Sequence, residues 1–410
     1  MWLLDRMLRR IVKRGELLVT EADGTLHRYG AEDPAFGRVA IRFTDAAVPA
    51  FIARHPRLGA GEAWMNGRMV MEEGDILALI LLIRSNAPWE KGGSKLGGNK
   101  VKQRIGAAAS LVGRLNWERR SKRNVAHHYD LGDRLYDLFL DADRQYSCAY
   151  FTDPGNSLEQ AQADKKAHIA AKLNLKPGLR VLDIGCGWGG MALYLNRVAD
   201  VDVLGVTLSE EQLKTARARA EAAGVADRVK FELIDYRRVE GQFDRIVSVG
   251  MFEHVGPPNY RRFFAKCRSL LAEDGVMLLH TIGRYGPPGT TDTWTTKYIF
   301  PGGYNPALSE IVSASERSKL ILSDMETLRV HYALTLEQWY ARAVAAERRI
   351  VELYDERFYR MWIFYLAGAI AAFRFGGMCN YQLQYIRRRD ALPITRDYLT
   401  TAEASLKALG

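Results

Sequence analysis

The sequence has no stretch of about 18 uncharged apolar residues, the minimum from which a membrane-spanning helix is read. Its longest apolar run, Ile76-Leu-Ala-Leu-Ile-Leu-Leu-Ile83, ends at Arg84. Cysteine is scarce: Cys148, Cys186, Cys267 and Cys379 are four in 410 residues, and no two are closely spaced. That argues against a zinc cluster or a disulfide framework and suits a reducing compartment. Met1-Trp-Leu-Leu-Asp-Arg-Met-Leu-Arg-Arg10 carries charge inside its apolar part and has no cleavage-like site, so it does not read as a secretory signal. A cytoplasmic location is expected. Acid is nearly missing from residues 91–123, where ten basic residues face a single acid, Glu118, in a chain whose net charge is +10. A basic patch on an otherwise balanced protein suggests a polyanionic partner, anionic lipid or nucleic acid; a solvated basic linker is the plainer reading.

The length favours two domains. Residues 1–85 read as a small α+β domain. Met1–Lys13 is helix-like, and Leu17–Thr20 and Thr25–Arg28 flank Asp23-Gly24, a good hairpin turn. Val39–Phe43 alternates as a strand, and Gly61–Gly67 reads as a loop or short turn. An apolar helix follows Asp75, whose carboxylate is its expected N-cap. Residues 86–116 form a basic Gly/Lys-rich linker whose later half, Val101–Leu115, suits an amphipathic surface helix. Strand–helix alternation then fills 117–410 and implies a mostly parallel sheet with helices on both faces. The expected strands are Arg180–Ile184, Asp202–Thr207, Val229–Ile234, Phe243–Val249 and Val276–Thr281. Ser209–Ala223 and Asn259–Leu271 read as helices between them, and residues 337–375 as two long helices, the second Tyr359–Phe375.

The chemistry starts at Val181-Leu-Asp-Ile-Gly-Cys-Gly-Trp-Gly-Gly190. A short apolar strand runs into a turn carrying Gly185, Gly187, Gly189 and Gly190, and a helix-like segment follows. Glycines let backbone approach a ligand, and the helix start offers free N–H groups. The spacing Gly185-x-Gly187-x-x-Gly190 also satisfies the dinucleotide fingerprint. A dinucleotide site wants an acid about 20 residues on, at the tip of the second strand. Here that strand ends in Thr207-Leu-Ser-Glu-Glu-Gln212, and the acid precedes the glycines, at Asp183. Asp-x-Gly-x-Gly-x-Gly resembles the first motif of class I S-adenosylmethionine (SAM) methyltransferases, which implies a Rossmann-like α/β fold. Ligands of such sheets collect at the carboxyl ends of the strands. Those ends carry Thr207, Ser209 and Gln212 for the ribose or methionine part, Asp235-Tyr236 for the adenine, Glu253-His254 and His280-Thr-Ile-Gly283.

Further stretches add to the strand ends: His128-Tyr-Asp-Leu-Gly132, Tyr146-Ser-Cys-Ala-Tyr-Phe151, Phe243–Gly256, Lys297-Tyr-Ile-Phe-Pro-Gly302 and His331-Tyr332 with Thr335-Leu336. Together they make the chain resemble the cyclopropane-fatty-acyl-phospholipid synthase family, which includes the mycolic acid cyclopropane synthases, from about Gly61 to Arg387. The resemblance implies transfer of a methylene unit from SAM to the cis double bond of a phospholipid acyl chain, with bound bicarbonate as base. It implies a bicarbonate site at Cys148, Glu253, His280, Ile282 and Tyr332, with Glu253 and His280 as proton-transfer groups. Cofactor residues would be Tyr146, Ser147, Asp183, Gly185, Gly187, Gly189, Thr207, Ser209, Gln212, Asp235 and Tyr236. Tyr129, Tyr136, Phe139, Tyr146, Phe252 and Tyr365 are candidates to line an acyl channel.

One departure matters. Family members commonly carry a cysteine in the late helix Phe364–Phe373, about where this chain has Ala369. Alanine is neither nucleophile nor base, so either the cysteine is dispensable or the reaction ends in a methyl- or methylene-branched chain. A more distant alternative is a nucleic-acid methyltransferase; the Glu253-His-Val-Gly sequence stands where a base-flipping motif would be. A binding-only reading makes the N-terminal domain an adaptor. The favoured picture is a peripheral enzyme on the anionic inner face of the cytoplasmic membrane, docked by residues 91–123 and the helix near Ile76–Ile83. It has no nucleic-acid partner, and the resemblance implies a homodimer.

Overall fold

The computed structural model describes residues 1–93 and 133–409. The 101–115 helix expectation, the His128–Gly132 motif, Tyr129 and almost all of the basic stretch lie outside the described residues. Two compact units divide the chain, and they do not follow its order. The first takes the described residues of 1–106 together with Thr291–Pro301 and Leu336–Gly377; the second takes the rest. Two segments inside the 117–410 span, read from the sequence as one domain, thus group with the N-terminal residues.

In the first unit, β1 (Gly15–Thr20), β2 (Leu26–Ala31), β3 (Val39–Phe43) and β4 (Met69–Glu73) form a sheet in the order β2-β1-β3-β4. The β1–β2 hairpin turns at Asp23-Gly24 as expected: Gly24 has φ 88° and the Asp23 carboxylate accepts from the Thr25 N–H at 2.9 Å. Asp75 caps the helix Ile76–Ser85, accepting from the Ala78 N–H at 2.7 Å, and its other oxygen accepts from the Tyr340 hydroxyl at 3.0 Å. The apolar run fills that helix, but Ile76, Leu79 and Leu82 are buried and no residue of 76–83 is exposed. The other five residues of the run, Leu77, Ala78, Ile80, Leu81 and Ile83, are half-buried. Exposed apolar surface sits instead on the helix Trp2–Ile11, at Trp2 (75%) and Leu3 (43%).

The expected loop at Gly61–Gly67 is largely helix, Gly59–Met65. A Cβ on Gly61 would come within 2.5 Å of the Trp294 indole nitrogen and 2.9 Å of the Phe364 ring. Glycine is there for close packing, a reason invisible to local propensity. The helix Glu356–Arg374 packs Trp362, Ile363, Leu366 and Ile370 inward and is capped by Asp355, which accepts from the Phe358 N–H at 2.6 Å. Ala369 lies on this helix.

The second unit is built on β5 (Arg180–Ile184), β6 (Asp202–Thr207), β7 (Val229–Leu233), β8 (Phe243–Val249), β9 (Leu271–Arg284), β10 (Ile321–Leu328) and β11 (Met378–Ile386), in the order β10-β11-β9-β8-β5-β6-β7. β9 through β7 are parallel; β11 and β10 run antiparallel at one edge. Side chains alternate between two cores. Val181, Val203 and Leu278 face one that includes Leu195 and Phe231, and Leu182, Ile184 and Ile246 face another that includes Phe252, Tyr260 and Phe263. Asp183 shares a face with Val181. The sequence reading found β5 to β9 and missed β10 and β11. Among the described residues no helix is long and apolar enough to cross a membrane.

Candidate active site

Every group discussed here belongs to the second unit, except Tyr365 and the two rings it packs on. The turn after β5 folds as expected. Gly185 and Gly187 have φ of 83° and 55°, and nothing lies within 4 Å of where a Gly187 Cβ would stand, so backbone is open to a ligand there. The helix Gly190–Ala199 starts immediately after. Around this turn a cavity is lined by Tyr146, Ser147, Asp183, Gly185, Gly187, Thr207, Gln212, Asp235 and Tyr236 from the expected cofactor set. Gly189 and Ser209 are outside its wall. Ser209 caps the helix Glu210–Ala222, and Gly189 (φ 84°) has Phe231 and Ala216 too close for a side chain. Thr207 and Gln212 serve both ends: the Thr207 hydroxyl donates to the Gln212 side-chain oxygen at 2.8 Å while both face the cavity.

Asp183 is buried, and burial pushes its carboxyl up to about 7 against the pull of Lys165; its Oδ2 has no hydrogen-bond partner. A cationic ligand would restore its charge. Asp235 behaves oppositely. Burial, which alone would raise it, is outweighed by Arg237, whose guanidinium donates from Nε at 2.8 Å and Nη2 at 2.5 Å, so the carboxyl stays below the usual range.

Besides His254, which the sequence reading placed at a strand end, the wall holds residues not singled out from the sequence, among them Trp188, Gln145 and Arg144. Trp188 donates from its indole to Asp133 at 3.1 Å and stacks edge-on against Tyr136, 5.2 Å between centroids. Gln145 and His254 also face the cavity, and burial lowers the His254 pKa. Arg144 stands beside Gln145. Lys165, behind the wall, is fully buried on the helix Leu158–Lys172. Its ammonium donates to Gln145 at 2.7 Å and to the Ser147 hydroxyl at 2.8 Å, and burial lowers its pKa to about 7. Gln162, one turn earlier, donates to the carbonyls of Gln145 and Ser147 at 3.1 and 3.0 Å. That helix therefore fixes the 145–147 strap against the cavity. The only local signal was polar residues spaced along an alanine-rich helix.

The five residues implied as a bicarbonate site lie outside the cavity lining. Glu253 is buried in a one-turn helix after β8, and its Oε1 accepts from the Ile282 N–H at 2.5 Å. Its Oε2 has no partner, and burial raises the carboxyl to about 7. His280, two residues before Ile282 on β9, is 1% exposed; burial, assisted by Lys165 and Lys172, lowers it to about 3, so the ring is neutral. Cys148 is buried, its thiol raised by desolvation and donating to its neighbour's carbonyl at 3.4 Å. The next residue, Ala149, donates its N–H to the Thr335 hydroxyl at 3.0 Å, one turn from Tyr332 on the helix His331–Ala345. Lys165 acts electrostatically on Cys148, Asp183 and His280 alike.

The aromatic candidates divide. Tyr136, Phe139 and Tyr146 form one cluster, with Tyr136–Tyr146 centroids 5.1 Å apart. Phe252 does not join it. Phe252 stacks on Tyr260 at 4.2 Å inside the core, so it is a packing residue. Tyr365 packs on Phe300 and Trp362 in the first unit.

A family model described as mycolic acid cyclopropane synthetase matches residues 117–383. The cyclopropane-fatty-acyl-phospholipid synthase of Escherichia coli K12 is 41% identical over 333 residues, covering 80% of this chain and 83% of that one. A tuberculostearic acid methyltransferase of Mycobacterium tuberculosis is 34% identical over 413 residues, covering 93% and 90%. Among solved structures, mycolic acid cyclopropane synthase CmaA1 complexed with SAH and CTAB is similar at TM-score 0.62 and 33% identity, over 64% of this chain and 97% of that one.

Proposed function

The chain belongs to the mycolic acid cyclopropane synthetase family, and from that membership we propose that it transfers a methylene unit from SAM to the cis double bond of an unsaturated phospholipid acyl chain, closing a cyclopropane ring. The observation that carries the reading is the pairing of a glycine-turn cavity with Glu253, a buried carboxyl near neutrality with one unpartnered oxygen. An alkene is a weak nucleophile, so the sulfonium methyl must be held in line with it. The C–S bond breaks with its electrons left on sulfur, and the methyl carbon joins one alkene carbon. The other becomes cationic. Loss of a proton from the new methyl supplies the pair that closes the ring. The centre must exclude water, or the cation would be trapped.

Bicarbonate, when bound, would accept that proton. The residues fit a small oxyanion at two points: Glu253 Oε2 offers a buried acceptor for its hydroxyl, and the neutral His280 ring offers a donor. Two other implied contacts are already engaged, the Ile282 N–H by Glu253 and the Cys148 thiol by the Ala149 carbonyl. Asp183, Thr207, Gln212, Asp235 and Tyr236 would hold SAM.

A second reading, a methyl- or methylene-branched product, draws support from the relative named a methyltransferase and from Ala369. We further propose that the enzyme is a homodimer that docks peripherally on an anionic leaflet, through the basic 91–123 stretch and the exposed Trp2 and Leu3 beside Arg6, Arg9 and Arg10. The test is incubation with SAM and vesicles of a cis-monounsaturated phospholipid, read by mass spectrometry and proton NMR of the released acyl esters. Gain of one CH₂ with upfield ring-methylene signals supports the cyclopropane. Gain of CH₂ with a new methyl or methylidene signal makes the branched reading correct; no gain refutes both.

A further inference from the structure

β11 reads Met378-Cys-Asn-Tyr-Gln-Leu-Gln-Tyr-Ile386, and its polar residues Asn380, Gln382 and Gln384 are all buried. Buried amides demand partners. Gln382 pairs across the ladder with His280. Its side-chain oxygen accepts from the Lys172 ammonium at 2.7 Å, and its side-chain nitrogen meets His280 Nδ1 at 3.1 Å. Lys172 has only donors to give, and it is ion-paired with Glu326, whose other partner is His168 at 2.7 Å. Glu326 is held ionised, its carboxyl near 2: burial opposes this, but hydrogen bonds from His168 and Lys172 prevail. An ammonium beside a fixed carboxylate keeps the Gln382 oxygen turned toward it. The Gln382 amide must then point its N–H at His280, and Nδ1 must accept.

A neutral imidazole with an accepting Nδ1 carries its proton on Nε2. Beyond Nε2 stands the Asn380 side chain at 3.3 Å, whose own oxygen has no partner as oriented. Turning that amide over would set oxygen against Nε2–H, an assignment the hydrogen-bond network favours. The charged and titratable groups acting on the ring are Lys165, His168 and Lys172 from the helix Leu158–Lys172 and Glu326 from β10; Asn380 and Gln382 are its β11 neighbours.

We propose that Lys172, acting through Gln382, locks His280 as the neutral Nε2–H tautomer, whose one N–H is shared between the Asn380 oxygen and the reacting centre, so that His280 donates a hydrogen bond there and does not shuttle the proton. Lys172 and Gln382 are positioning residues, and the proton passes by way of Glu253. This rests on the assignment of His280 to the reaction.

The test uses the full-length enzyme with ¹⁵N-labelled imidazoles, His280→Asn serving to assign the resonance among the eight histidines. Wild type should show a protonated Nε2 and a bare Nδ1. Gln382→Glu replaces the donor at Nδ1 by an acceptor of the same shape. It should move the proton to Nδ1 or charge the ring, and lower kcat about 10- to 100-fold, the scale of losing a group that orients and fixes the tautomer of a functional imidazole, with little change in KM for SAM or lipid. Lys172→Met, which frees the Gln382 amide to rotate, should shift the spectrum the same way; retained SAM affinity certifies that each variant is folded. A wild-type spectrum with the proton on Nδ1, or a Gln382→Glu enzyme with moved proton and unchanged kcat, would overturn the proposal. A His280→Asn enzyme with full kcat would refute the assignment of His280 to the reaction, while the spectrum alone still decides the tautomer.

Discussion

Two buried carboxyls, Asp183 and Glu253, set the expected pH behaviour. Both sit near 7 in the folded chain, above the ordinary 3.8 and 4.5, because burial penalises their charge. Folding therefore favours their protonated forms. The stability this carries is complete below about pH 4 and is lost as pH rises through about 7. Denaturant titrations across that window should show stability falling with pH, and Glu253→Gln should flatten part of the slope. Function runs the other way. Turnover that needs Glu253 as acceptor should gain an acid limb near pH 7, and Glu253→Gln should lower kcat by about 100-fold or more, the scale of a lost general base. Asp183→Asn should weaken SAM binding by roughly 1.5–3 kcal/mol, the worth of a hydrogen bond to a charged group, measured by calorimetry. If Asp183 faces the cationic ligand, the same titration in wild type should weaken as pH falls below 7.

The helix Gly59–Met65 was hidden because its glycines lower helix propensity and their reason is tertiary. Gly61→Leu forces a side chain into Trp294 and Phe364. It should cost about 1–3 kcal/mol, the usual price of overpacking, seen as a lower denaturation midpoint with unchanged slope. The helix Ile76–Ser85, by contrast, was legible down to its cap, because Asp75 followed by an apolar run is a local signal. Asp75→Ala should cost about 1 kcal/mol for the cap, and somewhat more because Tyr340 loses its acceptor. β11 alternates polar and apolar residues and carried a strand signal. It went unread because its polar face is buried, against Lys172 and His280, where alternation ordinarily implies water.

At the scale of the whole chain, the basic stretch dominates the charge, and reversing Lys100, Lys102 and Arg104 should reduce binding to anionic vesicles. The expected loss is about 1 kcal/mol per residue near the surface, read by vesicle co-sedimentation at low salt and diminishing as salt rises. Unchanged binding would move the docking role elsewhere, with Trp2→Ala the next variant to measure.

The sequence by itself determined the parallel sheet from β5 to β9, the glycine turn and the placing of Asp183, Thr207, Gln212, Asp235 and Tyr236 at strand ends around one cavity, since strand period, turn chemistry and strand-end position are all local properties. Tertiary structure alone decided three things. Segments 291–301 and 336–377 join the N-terminal unit, because apolar faces far apart in sequence find their burial there. Phe252 is core, since a ring's role depends on what packs around it. And the buried Lys165, Lys172 and Gln382 find their hydrogen-bond partners, because a buried ion or amide is explained only by what distant segments bring to it.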